Sequence, residues 1–176
     1  MFYPIYTYGE EVLRNKAEDT NLNDPYLPVI ISNMFETMYN ANGAGLAAPQ
    51  VGISKKIIVV EEEISEGTVF KGVFINPSIR YYSDQLQSFS EGCLSLPGIT
   101  ATVKRFTSVD VEWYDENKEY HREIFTGIKS IILQHEIDHL NGILFIDKLS
   151  LDERLKIFMQ LENIKNKRIQ TKYLIK

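Results

Sequence analysis

Apolar residues recur three and four apart at Ile128, Ile131 and Ile132, and the same series runs straight on into His135 and His139. A helix with that stripe turns it toward the interior, so the two imidazoles go inward with the isoleucines. Burying two titratable rings one turn apart is costly unless each finds a partner. A chain like this must therefore fold around the helix and around whatever satisfies its histidines. A divalent metal held by both rings is the economical solution. Glu136 follows His135 directly and is aimed to one side, from where it can reach a metal-bound water without being a ligand. This is the H-E-x-x-H arrangement, with a chance occurrence of roughly one in two hundred at this composition. The competing reading, a pair of hydrogen-bonded core histidines, weighs less because two of only three histidines fall here.

Two imidazoles do not complete a metal site, and the third donor decides its class. An extended protease pattern would keep Gly142, which is present, and would place a histidine at position 145, which is Phe145. A glutamate further along is another solution; Glu153 and Glu162 are available, but nothing around them points inward. Cys93, in "SEGCLSLPG", is the best candidate, because a thiolate is a strong ligand for a borderline-soft metal. Taken alone, a single cysteine is more often an inert buried thiol. One Cys and two His leave a fourth position open to water, which describes a catalytic site rather than a closed structural one. His121, the remaining histidine, lies in a polar hairpin stretch.

The rest of the chain reads as one α+β domain over 1–176, with no repeats and no linker. "NDPYLPVIISNMFETMYNANG" carries a stripe of Leu27, Ile30, Ile31, Met34, Phe35, Met38 and Ala41, an N-terminal helix bounded by Asp24-Pro25 and Asn42-Gly43. "KIIVVEE", "TVFKGVFINP" and "IRYYSDQLQSFS" have the β-branched and aromatic character of strands. Alternation on both sides of Asp115-Glu116-Asn117 indicates a hairpin. Ser150 and Glu153 have the spacing of a capping box, so a C-terminal helix starts there. The net charge of −5 argues against a nucleic-acid-binding domain, and direct DNA binding is not expected. Residues 151–176 are nonetheless basic, with seven Lys/Arg against three Asp/Glu. Such a tail is usually a solvated helix face and, less often, a dock for an acidic partner such as RNA. One cysteine, no signal-peptide pattern and no membrane-length apolar run suit a reducing cytoplasm.

"GAGLAAPQVG" contains Gly43, Gly45 and Ala48 at dinucleotide-loop spacing, but a helix precedes it and Pro49 and a strand follow, which is the wrong context. The physical alternative is a backbone brought close to something, with Gln50 delivered beside it.

Together, "GAGLAAPQ", "EGCLS" and "QHEIDHL" resemble the three signature motifs of peptide deformylases, in that order, and the likeness covers most of residues 4–155. The resemblance implies antiparallel sheets wrapped around the motif helix, and removal of the formyl group from N-formylmethionyl nascent peptides. It implies that Cys93, His135 and His139 hold one divalent metal, ferrous iron, with zinc, nickel or cobalt as substitutes. Glu136 would be the acid/base, and the Gln50 amide and the Leu94 backbone N–H would bind the developing oxyanion. Gly45 would offer backbone contacts, and Ala44, Gly92, Leu94, Ile128, Ile131 and Ile132 the methionine pocket, with Glu91 also at the substrate. The basic tail would dock on the ribosome. Ser130 stands where alanine is common, a small-for-small change expected to have little effect. Lys148 stands where arginine is frequent, and Thr100 where some members carry a basic residue. The rivals are an H-E-x-x-H metallopeptidase, which needs a ligand downstream of His139, and a non-catalytic domain stapled by zinc, which chelation would unfold.

Overall fold

In a computed structural model, which describes residues 2–176 and leaves Met1 outside, the chain forms two antiparallel sheets around one buried helix. The larger sheet has the order β1 (Gly45–Ala47), β2 (Ile57–Ser65), β3 (Thr68–Tyr82), β6 (Ser108–Tyr114) and β7 (Tyr120–Thr126); β4 (Leu86–Gly92) and β5 (Thr100–Phe106) pair separately. This is the α+β arrangement that the sequence leads one to expect. Strand β2 opens with four apolar residues because both of its faces are covered. Ile57 and Val59 pack with Leu27, Ile31, Met34 and Met38 of α1 (Leu27–Asn40), whereas Ile58 and Val60 pack with Ile132, Leu133 and Ile137 of α2 (Gly127–Leu140).

The strands depart from expectation in two ways: β1 and β5 are not anticipated from the sequence, and one boundary falls elsewhere. "TVFKGVFINP" and "IRYYSDQLQSFS" are not separate strands: β3 continues through Asn76-Pro77 to Tyr82, and only after a break does β4 begin. Proline has no N–H for the ladder, and the register against β6 shifts between Ile75 and Ser78 to absorb it. Asn76, at φ 53°, is held there by exchanging bonds of 2.7 and 2.9 Å with the Thr20 backbone.

Helix α2 is buried on nearly every side, which explains why its sequence is apolar beyond one stripe. The β4–β5 hairpin docks on it by a specific contact. The Gln134 side-chain amide pairs with the Phe106 backbone as a neighbouring strand would, at 3.1 and 2.8 Å. Ser130 is more than a small filler: its hydroxyl donates to the Phe106 carbonyl at 3.1 Å and accepts from Gln134 at 2.9 Å. The residue is small, as alanine would be, and makes two bonds that alanine could not.

Ser150 and Glu153 form the expected capping box at the start of α3 (Leu151–Lys156). The single C-terminal helix is in fact two, interrupted at Ile157 and resumed as α4 (Phe158–Lys165), where Leu161 and Ile164 bury against Leu96, Val103 and Phe145. Beyond α4 the chain returns as an extended segment and pairs in parallel with Ile5 through Ile175. It is not a free basic tail. No helix among the described residues is long and apolar enough to cross a membrane.

Candidate metal centre

His135 and His139 lie one above the other on α2, ring centroids 5.0 Å apart. Cys93 follows the last residue of β4, and the docked hairpin brings its Sγ to 3.2 Å from His139 Nε2. One donor atom from each of the three residues lies within 4.8 Å of the others. His135 Nδ1 is engaged by Glu91 Oε2 at 2.8 Å, which leaves Nε2 as its donor. Carboxylate-oriented imidazole is the usual arrangement behind a metal-bound histidine. Burial above all holds His139 well below the usual imidazole range, and neutral imidazole is the ligating form. A thiol and two imidazoles converging in this way fit a divalent cation with an open position.

The rejected third donors are placed elsewhere. Phe145 is 1% exposed and stacks on the His135 ring, centroids 6.1 Å apart. Glu153 is exposed and spent on the α3 cap. His121, in β7, binds Asp115 across the β6–β7 turn at 2.9 Å and stacks on Trp113.

Glu136 is 5% exposed, and its Oε2 has no hydrogen-bond partner among the described residues. Burial pushes its carboxyl up to about 7. The other oxygen explains the glycine in the preceding loop: a Cβ on Gly45 would come 2.7 Å from Oε1. The loop is not a flexible surface turn. It is β1 followed by a buried 3-10 turn (Ala48–Val51) that delivers Gln50. The Ala47 N–H donates to Gln50 Oε1 at 2.8 Å, which fixes the amide so that Nε2 faces Cys93 Sγ (3.5 Å) and Ser95 Oγ (3.3 Å).

Glu91, expected at the substrate, borders the cleft, and both of its oxygens are engaged from behind. Arg105, 2% exposed, donates to them at 2.6 and 2.8 Å, and His135 shares Oε2. Burial alone would raise this carboxyl; the bonds from Arg105 and His135 outweigh it and hold it at about 2. Glu91 therefore orients His135, one of the three candidate donors. Arg105 also pairs with Asp138 of α2, and Lys148 reaches Asp138 at 3.0 Å, so the lysine keeps a cation where arginine is frequent. Replacing Arg105 by alanine leaves a buried carboxylate without its cation, a change that typically costs about 3–5 kcal/mol. Denaturant melts of Arg105→Ala should show that loss; a variant as stable as wild type would mean the network is structurally idle.

A cleft of about 540 Å³ opens over these residues. Ala44, Gly45, Gly92, Leu94, Ile128, Ile131 and Ile132 line it, so the expected pocket residues are brought together. Sequence reasoning missed Phe89, Glu62 and Tyr173, which also face it. The alternation in "LQSFS" could have pointed to Phe89; no local signal marks Tyr173. Burial pushes the Tyr173 phenol up to about 12.

A half-buried thiol and two imidazoles able to hold a cation, with a buried glutamate beside them and a largely apolar cleft above, are the parts a metallohydrolase needs. The chain belongs to the polypeptide deformylase family, whose profile matches residues 2–155. The peptide deformylase of Christiangramia forsetii is 40% identical, over 98% of this chain and 94% of that one. Among solved structures, the Thermus thermophilus peptide deformylase superposes with a TM-score of 0.86 at 36% identity, covering 95% of this chain and 99% of the other. That of Plasmodium falciparum, in complex with an inhibitor, gives 0.82 at 42% identity, covering 92% and 99%. The protein is a hydrolase that removes the N-formyl group from nascent polypeptides, in a metal-dependent family. The metallopeptidase and zinc-stapled readings are set aside.

Proposed function

We propose that Cys93, His135 and His139 hold the cation, ferrous iron by family resemblance, and that Glu136, Gln50 and Leu94 act on the formyl group. The convergence of Sγ and two imidazole nitrogens within 4.8 Å carries this reading. When bound, the cation acidifies water and polarises the carbonyl oxygen. The Glu136 carboxylate takes the proton of the attacking water and returns it to the departing amine nitrogen, the two-way role of a general acid/base. The Gln50 amide and the Leu94 N–H donate to the formyl oxygen as it gains charge. Ile128, Ile131 and Ile132 take the methionine side chain, while Gly45 and Gly92 leave room for the backbone but not for a bulkier acyl group. Water attack breaks the C–N bond, so the products are formate and a free amino terminus.

Following formate release from formyl-methionyl peptides, with metal analysis on the same sample, tests this. The expected result is one formate per peptide and one cation per chain, with unformylated peptides left intact. Cleavage of an internal peptide bond would contradict the assignment. The whole chain is read as one catalytic domain acting in the cytoplasm. A lone free cysteine supports that location. The basic excess of residues 151–176, beside the exposed Leu155 and Met159, supports docking on the ribosome. Salt-sensitive co-sedimentation with ribosomes is the check, and its absence at low salt would remove that partner.

A further inference from the structure

Residues beyond 155 lie outside the family match, yet they are wired to the site. The extended segment of residues 5–8 has two edges. On one, the Ile5 and Thr7 N–H groups donate to the Leu174 and Lys176 carbonyls at 2.9 and 3.2 Å. On the other, the Tyr6 and Tyr8 N–H groups donate to the Gln50 and Ser95 carbonyls, both at 2.8 Å. The segment thus ties the returning chain to the backbone under both loops that face the formyl group. Lys167 fastens the junction, binding Thr7 Oγ1 and the Lys176 carbonyl at 2.8 Å and pairing with Glu10.

From that anchor Tyr173 reaches the cleft wall, and its hydroxyl donates to the Leu94 carbonyl at 2.8 Å. Two rigid peptide planes meet at the Leu94 Cα. The first contains the Leu94 N–H and the Cys93 carbonyl, and the Leu96 N–H pins that carbonyl at 2.9 Å. The second contains the Leu94 carbonyl, and Tyr173 pins it. The Leu96 bond holds the plane that carries the Leu94 N–H, and the Tyr173 bond holds the next peptide, the middle link of the turn that closes from Cys93 to Leu96; freeing that link loosens the turn that seats the N–H.

We propose that Tyr173 is a positioning residue for deformylation: its hydroxyl fixes the peptide after Leu94 and thereby the aim of the Leu94 N–H. This rests on the reading of Gln50 and Leu94 as donors to the formyl oxygen. A donor displaced by a fraction of an ångström is weaker in the transition state but scarcely alters substrate binding, so the effect falls on kcat.

The experiment compares Tyr173→Phe, Gln50→Ala and wild type, all as full-length, metal-loaded protein, on a formyl-methionyl peptide. Tyr173→Phe keeps the ring and its packing and removes only the hydroxyl. Its kcat should fall about tenfold, with KM within about twofold, and with cation content and Tm unchanged. Wild-type kcat in Tyr173→Phe beside a slowed Gln50→Ala would overturn the role of Tyr173 and leave the oxyanion reading standing. Wild-type kcat in both would remove that reading and this one with it. A lower kcat that tracks lost cation or lowered Tm, or a rise in KM by the same factor, would reduce Tyr173 to a structural or substrate contact.

Discussion

Glu136→Ala is expected to keep its cation and lose turnover, by about a thousandfold within the usual span for a general acid/base. Glu136 does not belong to the cluster of candidate donors, so its removal leaves Cys93, His135 and His139 in place. It is the buried carboxyl with an unpartnered oxygen, against a glycine that admits it. A carboxyl pushed up to about 7 by burial has been placed there at some expense in stability. The alanine variant should therefore melt no lower than wild type, since activity and stability trade against each other at such positions. Metal analysis, a melting curve and kcat on one preparation check all three parts. Full activity would refute the assigned role, and loss of the cation would make Glu136 a ligand.

Cys93→Ala has the second large effect, on metal rather than on proton transfer. Changing groups behind a metal ligand typically costs 10–100-fold in affinity; removing a thiolate ligand should cost more. The hairpin that carries Cys93 is held by the Glu91, Arg105 and Asp138 contacts and by Gln134, so the apo fold should persist. Melting in a metal titration separates the cases. A cation at a hundred times its Kd stabilises the native state by about 2.7 kcal/mol. Wild type should gain that increment and Cys93→Ala should not, while the two melt alike without metal. Wild-type stoichiometry in Cys93→Ala would exclude the thiol as a ligand.

The features legible in the sequence were local or came from chemistry. The stripe through Ile128 and His139, the span of α1, the β6–β7 turn and the Ser150–Glu153 cap each depend on residues a few positions apart, and each stands as expected. Cys93 could be singled out without seeing its neighbours, because a two-histidine helix lacks a donor and few residue types can supply one. The illegible features depended on tertiary partners. Nothing near Glu91 says that Arg105 and His135 consume its oxygens. Nothing in "TKYLIK" says that Tyr173 meets a carbonyl 79 positions earlier. The passage of β3 through Pro77 and the break at Ile157 were hidden because neighbouring elements, not propensity, settle such boundaries.

The amino-acid sequence by itself determined which groups must be buried and what they require: two imidazoles on an apolar helix face, a carboxyl between them, and one thiol to join them. Periodicity and donor chemistry are properties of the chain, so they can be read before it folds. Only the tertiary structure decided which atom faces which. It set the docking of the β4–β5 hairpin that brings Sγ to the imidazoles, joined Glu91 at the edge of the cleft to His135 and Arg105, and returned the last residues beneath Gln50 and Leu94. Those choices depend on how distant surfaces pack, and a directional bond is defined only when both of its ends are in place.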